Sequence, residues 1–224
     1  MENWYLNTFF ILYVNMENIG KVYYINIDHR LDRKEQILKE LDTVGIASSK
    51  IERISAIYKK GFGILGCGLS HKKAVEHFIE SKEDYCIIFE DDFVFTMSPD
   101  EFNFLLGKIF SKKMTFDVIM LSGVILQEEI TPYYFLKKVN DGHAASAYIV
   151  SRQFAPTLLE NYTEATQKLE ETFLETGEKK MQYHQDMHWK YLQRYCDFYI
   201  LNPVAGIQRE SYSDVQGRDL RWGF

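Results

Sequence analysis

Cys86-Ile87-Ile88-Phe89-Glu90-Asp91-Asp92-Phe93-Val94-Phe95 decides how this chain is read. An apolar run passes without a break into three adjacent carboxylates, and apolar residues resume at once. A nearly continuous apolar run is the pattern of a strand buried on both faces of a parallel sheet. Carboxylates at the carboxyl end of such a strand stand where open α/β sheets bind their ligands. Three neighbouring negative charges repel one another. A divalent cation is the usual compensation, and all-oxygen ligands favour Mg²⁺ or Mn²⁺. A cation held there could grip a pyrophosphate. The segment alone also fits a solvated acidic turn after a strand.

The flanking sequence extends the pattern. Residues 22–27 read as a buried strand. Asp32 can cap a helix over residues 33–44, with Ile37, Leu38, Leu41 and Val44 on one face and Gly45 as its stop. Residues 51–57 read as a strand, and a glycine-rich loop follows over residues 61–68. Ser70 then caps a helix carrying Ala74, Val75, Phe78 and Ile79. Ser98-Pro99-Asp100-Glu101 joins a capping box to a proline at the first helical position. Residues 116–121 and 144–150 read as strands, and Ser151 begins a short helix. Residues 163–175 form a charged helix ending at Gly177, residues 185–195 are helical, and residues 198–201 are extended. From Gly206 the chain is polar and irregular, either a disordered end or a lid ordered by ligand. Strands alternating with helices imply an α/β fold with a mainly parallel sheet flanked by helices. No linker divides it, so residues 21–224 read as a single domain and residues 1–20 as an N-terminal extension.

Composition narrows the function. Of 224 residues, 26% are charged and 46% hydrophobic, as in a soluble globular protein. A net charge of -6 argues against a nucleic-acid binder, which needs clustered Lys and Arg. Cys67, Cys86 and Cys196 form no CxxC pair and read as reduced thiols, with no structural zinc. Asn161-Tyr162-Thr163 is a sequon without a secretory signal. Residues 4–14 are mostly apolar but too short to span a bilayer, and no basic residue precedes them. Met16-Glu17-Asn18 repeats Met1-Glu2-Asn3, so Met16 is an alternative start. The simplest expectation is a cytoplasmic protein with no transmembrane segment, in peripheral contact with a membrane if its acceptors are lipid-linked.

Several motifs hold chemistry with alternatives attached. Gly61-Phe62-Gly63-Ile64-Leu65-Gly66 matches GxGxxG, but that fingerprint belongs directly after a hydrophobic strand. Here Lys59 and Lys60 intervene, so a flexible loop or one facing phosphate or sugar fits as well. His184-Gln185-Asp186-Met187-His188 spaces two histidines like a zinc protease, yet Gln stands where Glu would be needed. Asp186 fits a structural N-cap or a general base, a role contributing about 10²–10⁴ in rate. Arg30 and Arg33 precede or open a helix, where positive charge opposes the macrodipole and favours an anionic partner. His71 and Lys72 can add to that anion site.

Taken together and in order, these segments resemble glycosyltransferase family 25, the lipopolysaccharide and procollagen galactosyltransferase group. The matching pieces are Val22-Tyr23-Tyr24-Ile25-Asn26-Ile27-Asp28 with Arg30 and Arg33, Gly66-Cys67-Gly68-Leu69-Ser70-His71, and Ile87-Ile88-Phe89-Glu90-Asp91-Asp92. Next come residues 143–152, Asp186 with Tyr191-Leu192, and Gln208 with Ser213-Asp214-Val215. The resemblance implies a GT-A-type, Rossmann-like fold. It also implies a UDP-sugar donor, usually UDP-galactose or UDP-glucose, and inverting transfer to a hydroxyl of a glycan or of a collagen-like hydroxylysine. Glu90-Asp91-Asp92 would stand for the family's DxD-like motif, with Glu90 and Asp92 as Mn²⁺ (or Mg²⁺) ligands. Asn26, Arg30, Arg33, Ser70, His71, Asp91, Gln208, Ser213 and Asp214 would meet the nucleotide-sugar, and Asp186 would be the base. His184-Gln185 departs from the Pro or Val often found before that acidic residue, which puts the acceptor side in question. An inactive nucleotide-sugar-binding protein of the same fold and a dinucleotide-dependent oxidoreductase are the competing readings.

Overall fold

In β1 (Lys21–Asn26) Val22 and Tyr24 face one way, Tyr23 and Ile25 the other, and all four are buried. β3 (Tyr85–Glu90) divides Ile87 and Phe89 from Cys86 and Ile88 in the same fashion. Strands apolar on both faces need cover on both. The computed structural model describes residues 17–112, 114–213 and 218–220, and it supplies that cover with helices. On one face α1 (Leu31–Thr43) contributes Ile37 and Leu41, and α3 (Pro99–Ser111) contributes Phe102 and Leu106. On the other, α2 (Gly63–Ser81) contributes Ala74 and Phe78, and α4 (Ala155–Thr176) contributes Leu158 and Tyr162.

The sheet is completed by β2 (Ile51–Ser55), β5 (Val118–Met120), β6 (Val124–Ile130), β7 (Leu136–His143), β8 (Ala147–Ser151) and β9 (Phe198–Leu201), in the order β2-β1-β3-β8-β5-β9-β7-β6. β8 runs against both β3 and β5, and β7 against both β9 and β6, while the remaining pairs are parallel. Every strand of this sheet except β7 and β8 therefore points one way, and the mainly parallel α/β sheet expected from the alternation is present. β4 (Phe93–Phe95) pairs antiparallel with β10 (Gly206–Gln208), and β11 (Ser211–Ser213) with β12 (Arg218–Leu220). Two one-turn helices, α5 (Gln185–His188) and α6 (Lys190–Gln193), precede β9. Among the described residues no helix is long and apolar enough to cross a membrane.

The structure corrects several local readings. Arg30, not Asp32, holds the N-cap position of α1, and Asp32 sits in the first turn. Residues 63–68 are helix rather than loop, because Gly66 and Gly68 serve close packing. A Cβ on Gly66 would lie 2.2 Å from the Ile57 carbonyl oxygen, and one on Gly68 would lie 3.0 Å from Thr166 Cγ2. Ser70 is thus inside α2 and caps nothing. Residues 56–60 separate β2 from Gly61, and Gly63 and Gly66 lie inside α2, so the glycines do not form the tight turn directly after a strand that a dinucleotide fingerprint requires, which weighs against the oxidoreductase reading. Residues 144–146 turn rather than extend, with Ala144 at φ +54°, and the strand begins at Ala147. The short helix at Ser151 and the charged helix are one 22-residue element, α4, which ends on Gly177 at φ +73°. The irregular tail contains β10. Residues 1–16 of the N-terminal extension lie outside the described residues, whereas Ile19 is fully buried in the core and the Gly20 N–H donates to the Tyr85 carbonyl.

Candidate active site

β3 ends in Glu90, and the chain turns through Asp91 and Asp92 into β4. Both aspartates are 7% exposed. Two buried carboxylates need donors, and α1 provides one. Arg33 Nη1 donates to Asp91 Oδ1 at 3.0 Å and to Asp92 Oδ2 at 3.3 Å. Asp91 is further held by Asn26 Nδ2 at 2.7 Å, and Asp92 Oδ2 by Gln208 Nε2 at 3.1 Å. The Arg209 N–H donates to the Asp92 carbonyl, so β10 and the residue after it fasten the acidic turn from the far side. Gly206 allows that approach: a Cβ there would meet the Val94 carbonyl oxygen at 2.2 Å.

The three acidic residues serve different ends. Asp91 is spent on Asn26 and Arg33. Asp92 Oδ1, although buried, has no hydrogen-bond partner among the described residues. Burial, followed by the Glu90 charge, pushes the Asp92 carboxyl up to about 7, against the pull of Arg33. Burial raises Asp91 as well, with Arg33 again opposing. Glu90 points toward α2, where His71 Nε2 lies 3.2 Å from its Oε1. An orphaned, buried carboxylate oxygen beside a second carboxylate, with one guanidinium shared by two aspartates, is a donor set that fits a hard divalent cation.

Around this turn lies a cleft enclosing about 190 Å³ of space open to water. Arg33, Ser70, His71, Glu90, Asp91, Asp92, Asp186 and Gln208 all line it, so the fold gathers eight of the residues expected at the site. Asn26 stands behind them, 1% exposed, its amide donating to Asp91 and the Arg30 carbonyl and accepting from Arg53 Nε. Arg30 is outside the lining; its guanidinium forms a two-bond pair with Asp32. Ser70 Oγ donates to the Gly66 carbonyl and accepts from the Ile57 N–H, tying α2 to the segment after β2. Asp214 lies outside the described residues, and Ser213 falls in β11, where only the backbone is described.

Asp186 stands in the first turn of α5 and lines the same cleft. It is not an N-cap, since that position is His184. Its Oδ2 accepts the Ala144 N–H at 2.8 Å, holding the positive-φ turn ahead of β8. The segment is hung from β7: Trp189 Nε1 and Gln193 Nε2 both donate to the Gly142 carbonyl, and the Gly142 N–H donates to Gln193 Oε1. Burial lowers the pKa of both His184 and His188, which favours their neutral forms. Among the described residues neither joins a metal cluster.

Cys67, Gln185, Ser146 and the Ile57-Tyr58-Lys59 segment also line the cleft, and no motif assigned them a role. Cys67 was legible in one respect, as it stands one helical turn before His71. Burial, then the charges of Glu90, Asp186 and Asp92, hold its thiol well above the ordinary range. The Tyr148 hydroxyl behind His71 was not legible, because it reads as one more apolar residue of a buried strand.

Comparison with known proteins defines the class. The profile of glycosyltransferase family 25 (LPS biosynthesis protein) matches residues 61–174, more than half of the chain, and the chain belongs to that family. The match takes in α2, the acidic turn and most of α4. No curated protein matches the chain. Among solved structures, A197 from STIV is similar at 15% identity and TM-score 0.43, with 82% of each chain covered. Mannose-1-phosphate geranyltransferase from Thermus thermophilus is similar at 8% identity and TM-score 0.44, covering 92% of this chain and 66% of that one. HddC from Yersinia pseudotuberculosis follows at 13% identity and TM-score 0.36, over 87% and 74%. Membership of the family makes this chain a glycosyltransferase, acting between a sugar donor and a glycan acceptor.

Proposed function

We propose that the chain is a metal-dependent, inverting hexosyltransferase that moves galactose or glucose from a UDP-sugar to a hydroxyl of an acceptor glycan. The observation that carries the reading is Asp92, a buried carboxylate with one oxygen unpartnered among the described residues, facing the same cleft as Glu90 and Asp186. A diphosphate entering a cleft lined by four carboxylates is repelled unless positive charge accompanies it. Arg33 and Lys59 are the arginine and lysine side chains lining the cleft among the described residues, and Arg33 already answers two aspartates. Glu90 and Asp92 would hold Mn²⁺ or Mg²⁺, which as a Lewis acid stabilises charge on a departing diphosphate.

The chain's own residues divide the remaining work. Arg33 keeps Asp91 and Asp92 close despite their like charge. Asn26 locks Asp91, and Gln208 holds the second oxygen of Asp92. Ser70 fixes the wall beside Ile57 where the nucleotide would lie, and Arg30, Ser213 and Asp214 remain proposed contacts of the same donor. Inversion requires a single displacement in which a carboxylate removes the acceptor proton on the face opposite the leaving group. Asp186 lines the same cleft as the acidic turn and is the carboxylate we assign to that role. A glycan acceptor is preferred to a collagen-like hydroxylysine on the strength of the family's description.

The test is UDP release from a panel of UDP-sugars with Mn²⁺ or EDTA, for wild type and Asp92→Ala. Turnover of one donor that is lost with EDTA and with the variant supports the donor, the metal and its ligand together. Absence of both UDP release and calorimetric UDP binding under every condition overturns the reading.

A further inference from the structure

Cys67 and His71 stand one turn apart on α2, and Glu90 ends the neighbouring strand. Cys67 Sγ, a ring nitrogen of His71 and a carboxylate oxygen of Glu90 all lie within 4.8 Å of one another. The closest pair, His71 Nε2 and Glu90 Oε1, is separated by 3.2 Å. Around a tetrahedral zinc, with bonds of about 2.0–2.3 Å, neighbouring ligand atoms stand about 3.3–3.7 Å apart. Convergence therefore asks ligand atoms up to 4.8 Å apart to close by about 1–1.5 Å. We propose that Cys67, His71 and Glu90 form a seat for Zn²⁺, separate from the all-oxygen seat at Glu90 and Asp92 but sharing Glu90 with it.

The surroundings suit such a seat. A metal-bound imidazole usually gives its other ring N–H to a fixed partner. His71 Nδ1 lies 3.0 Å from the Tyr148 hydroxyl, which also accepts from the Tyr162 hydroxyl. With the ring proton on Nδ1 donated to Tyr148, Nε2 is left as the ligand atom. The mixed sulfur, nitrogen and oxygen set selects Zn²⁺ over Mg²⁺ or Mn²⁺. All three side chains line the cleft, so the fourth position opens to water. On binding, Cys67 exchanges its thiol proton for a Zn–S bond and the proton leaves to solvent, while Gln185 Nε2, now 3.4 Å from Sγ, keeps a thiolate as acceptor. A zinc ion there withdraws Glu90 from the proposed Mn²⁺ seat and so inhibits transfer. That consequence rests on the glycosyltransferase reading; the seat itself does not.

Co²⁺ is the probe, added to the full chain under a phosphine reductant. The seat predicts a thiolate-to-cobalt charge-transfer band that saturates at one equivalent, is displaced by Zn²⁺ and is lost in Cys67→Ser, which retains Cys86 and Cys196. Tyr148→Phe keeps the band but weakens Co²⁺ about tenfold. In the unaltered protein, Zn²⁺ should slow alkylation of Cys67 at least tenfold without slowing Cys196, read by peptide mass spectrometry. No band in wild type, a band surviving in Cys67→Ser, or unprotected Cys67 each overturns the proposal, whether or not the chain turns over a UDP-sugar.

Discussion

Asp92→Asn should make the metal-free protein more stable at pH 8 than wild type. Asp92 has an ordinary carboxyl pKa of 3.8 when unfolded and about 7 when folded. A folded-state pKa raised in this way means the native chain keeps a proton that the unfolded chain releases. Its cost to folding is absent below about 3.8, grows as pH rises, and is complete above about 7. Three units at ~1.36 kcal/mol each set a ceiling of about 4 kcal/mol. At pH 5 the same arithmetic leaves about 1.5 kcal/mol. The amide carries no charge to desolvate and can still accept from Gln208, while Arg33 retains Asp91. A chain of this size moves its Tm by about 2–4 °C per kcal/mol, so a third of the ceiling is measurable. The assay is urea and thermal unfolding at pH 5 and pH 8, in EDTA and in Mn²⁺. The variant should gain in EDTA at pH 8, gain less at pH 5, and lose the stabilisation that Mn²⁺ confers on wild type. Because cation and proton compete for one carboxylate, that stabilisation should itself grow from pH 5 to pH 8. A variant no more stable than wild type at pH 8 in EDTA refutes the buried-charge account.

Asp186→Asn should retain UDP binding within about threefold and lose transfer by at least about 10²; calorimetry with a coupled UDP assay checks both, and wild-type-like transfer removes Asp186 from the role. Gly66→Ala drives a Cβ against the Ile57 carbonyl, so overpacking of about 1–3 kcal/mol should appear in the unfolding midpoint. UDP affinity should fall with it, because the wall beside Ser70 must shift. Ser122→Ala strands two N–H groups, those of Ser146 and Ala147, which both donate to Ser122 Oγ. Denaturant unfolding should show a loss of about 1–3 kcal/mol.

The acidic-turn side of this site is legible in the sequence and the Asp186 side is not, for a physical reason. Arg33, Glu90 and Asp92 sit at the ends of a strand and a helix whose apolar periodicity is strong, so their neighbourhood follows from the fold class. The glycines of α2 mislead, because a glycine chosen for close approach to Ile57 looks the same in sequence as one chosen for a loop. β6 and β7 escape notice for another reason. β6 is exposed along Leu126-Gln127-Glu128-Glu129-Ile130 and shows no two-faced apolar pattern. Gln208 reads as part of an irregular tail, and only its pairing with β4 brings it to Asp92. The partners of Asp186 are a backbone N–H and a turn at positive φ, neither of which has a residue-type signature.

The Gln193 clip has a practical consequence. Its side-chain amide gives Gly142 the pair of bonds that a neighbouring strand would have given, so the short helices bearing Asp186 are clasped to the sheet at Gly142, by one amide and one indole. A designer could rebuild residues 178–183, or graft another loop there, without disturbing the Gly142 bonds that seat the segment. The segment that carries Asp186 is, in that sense, a detachable fitting on a fixed chassis.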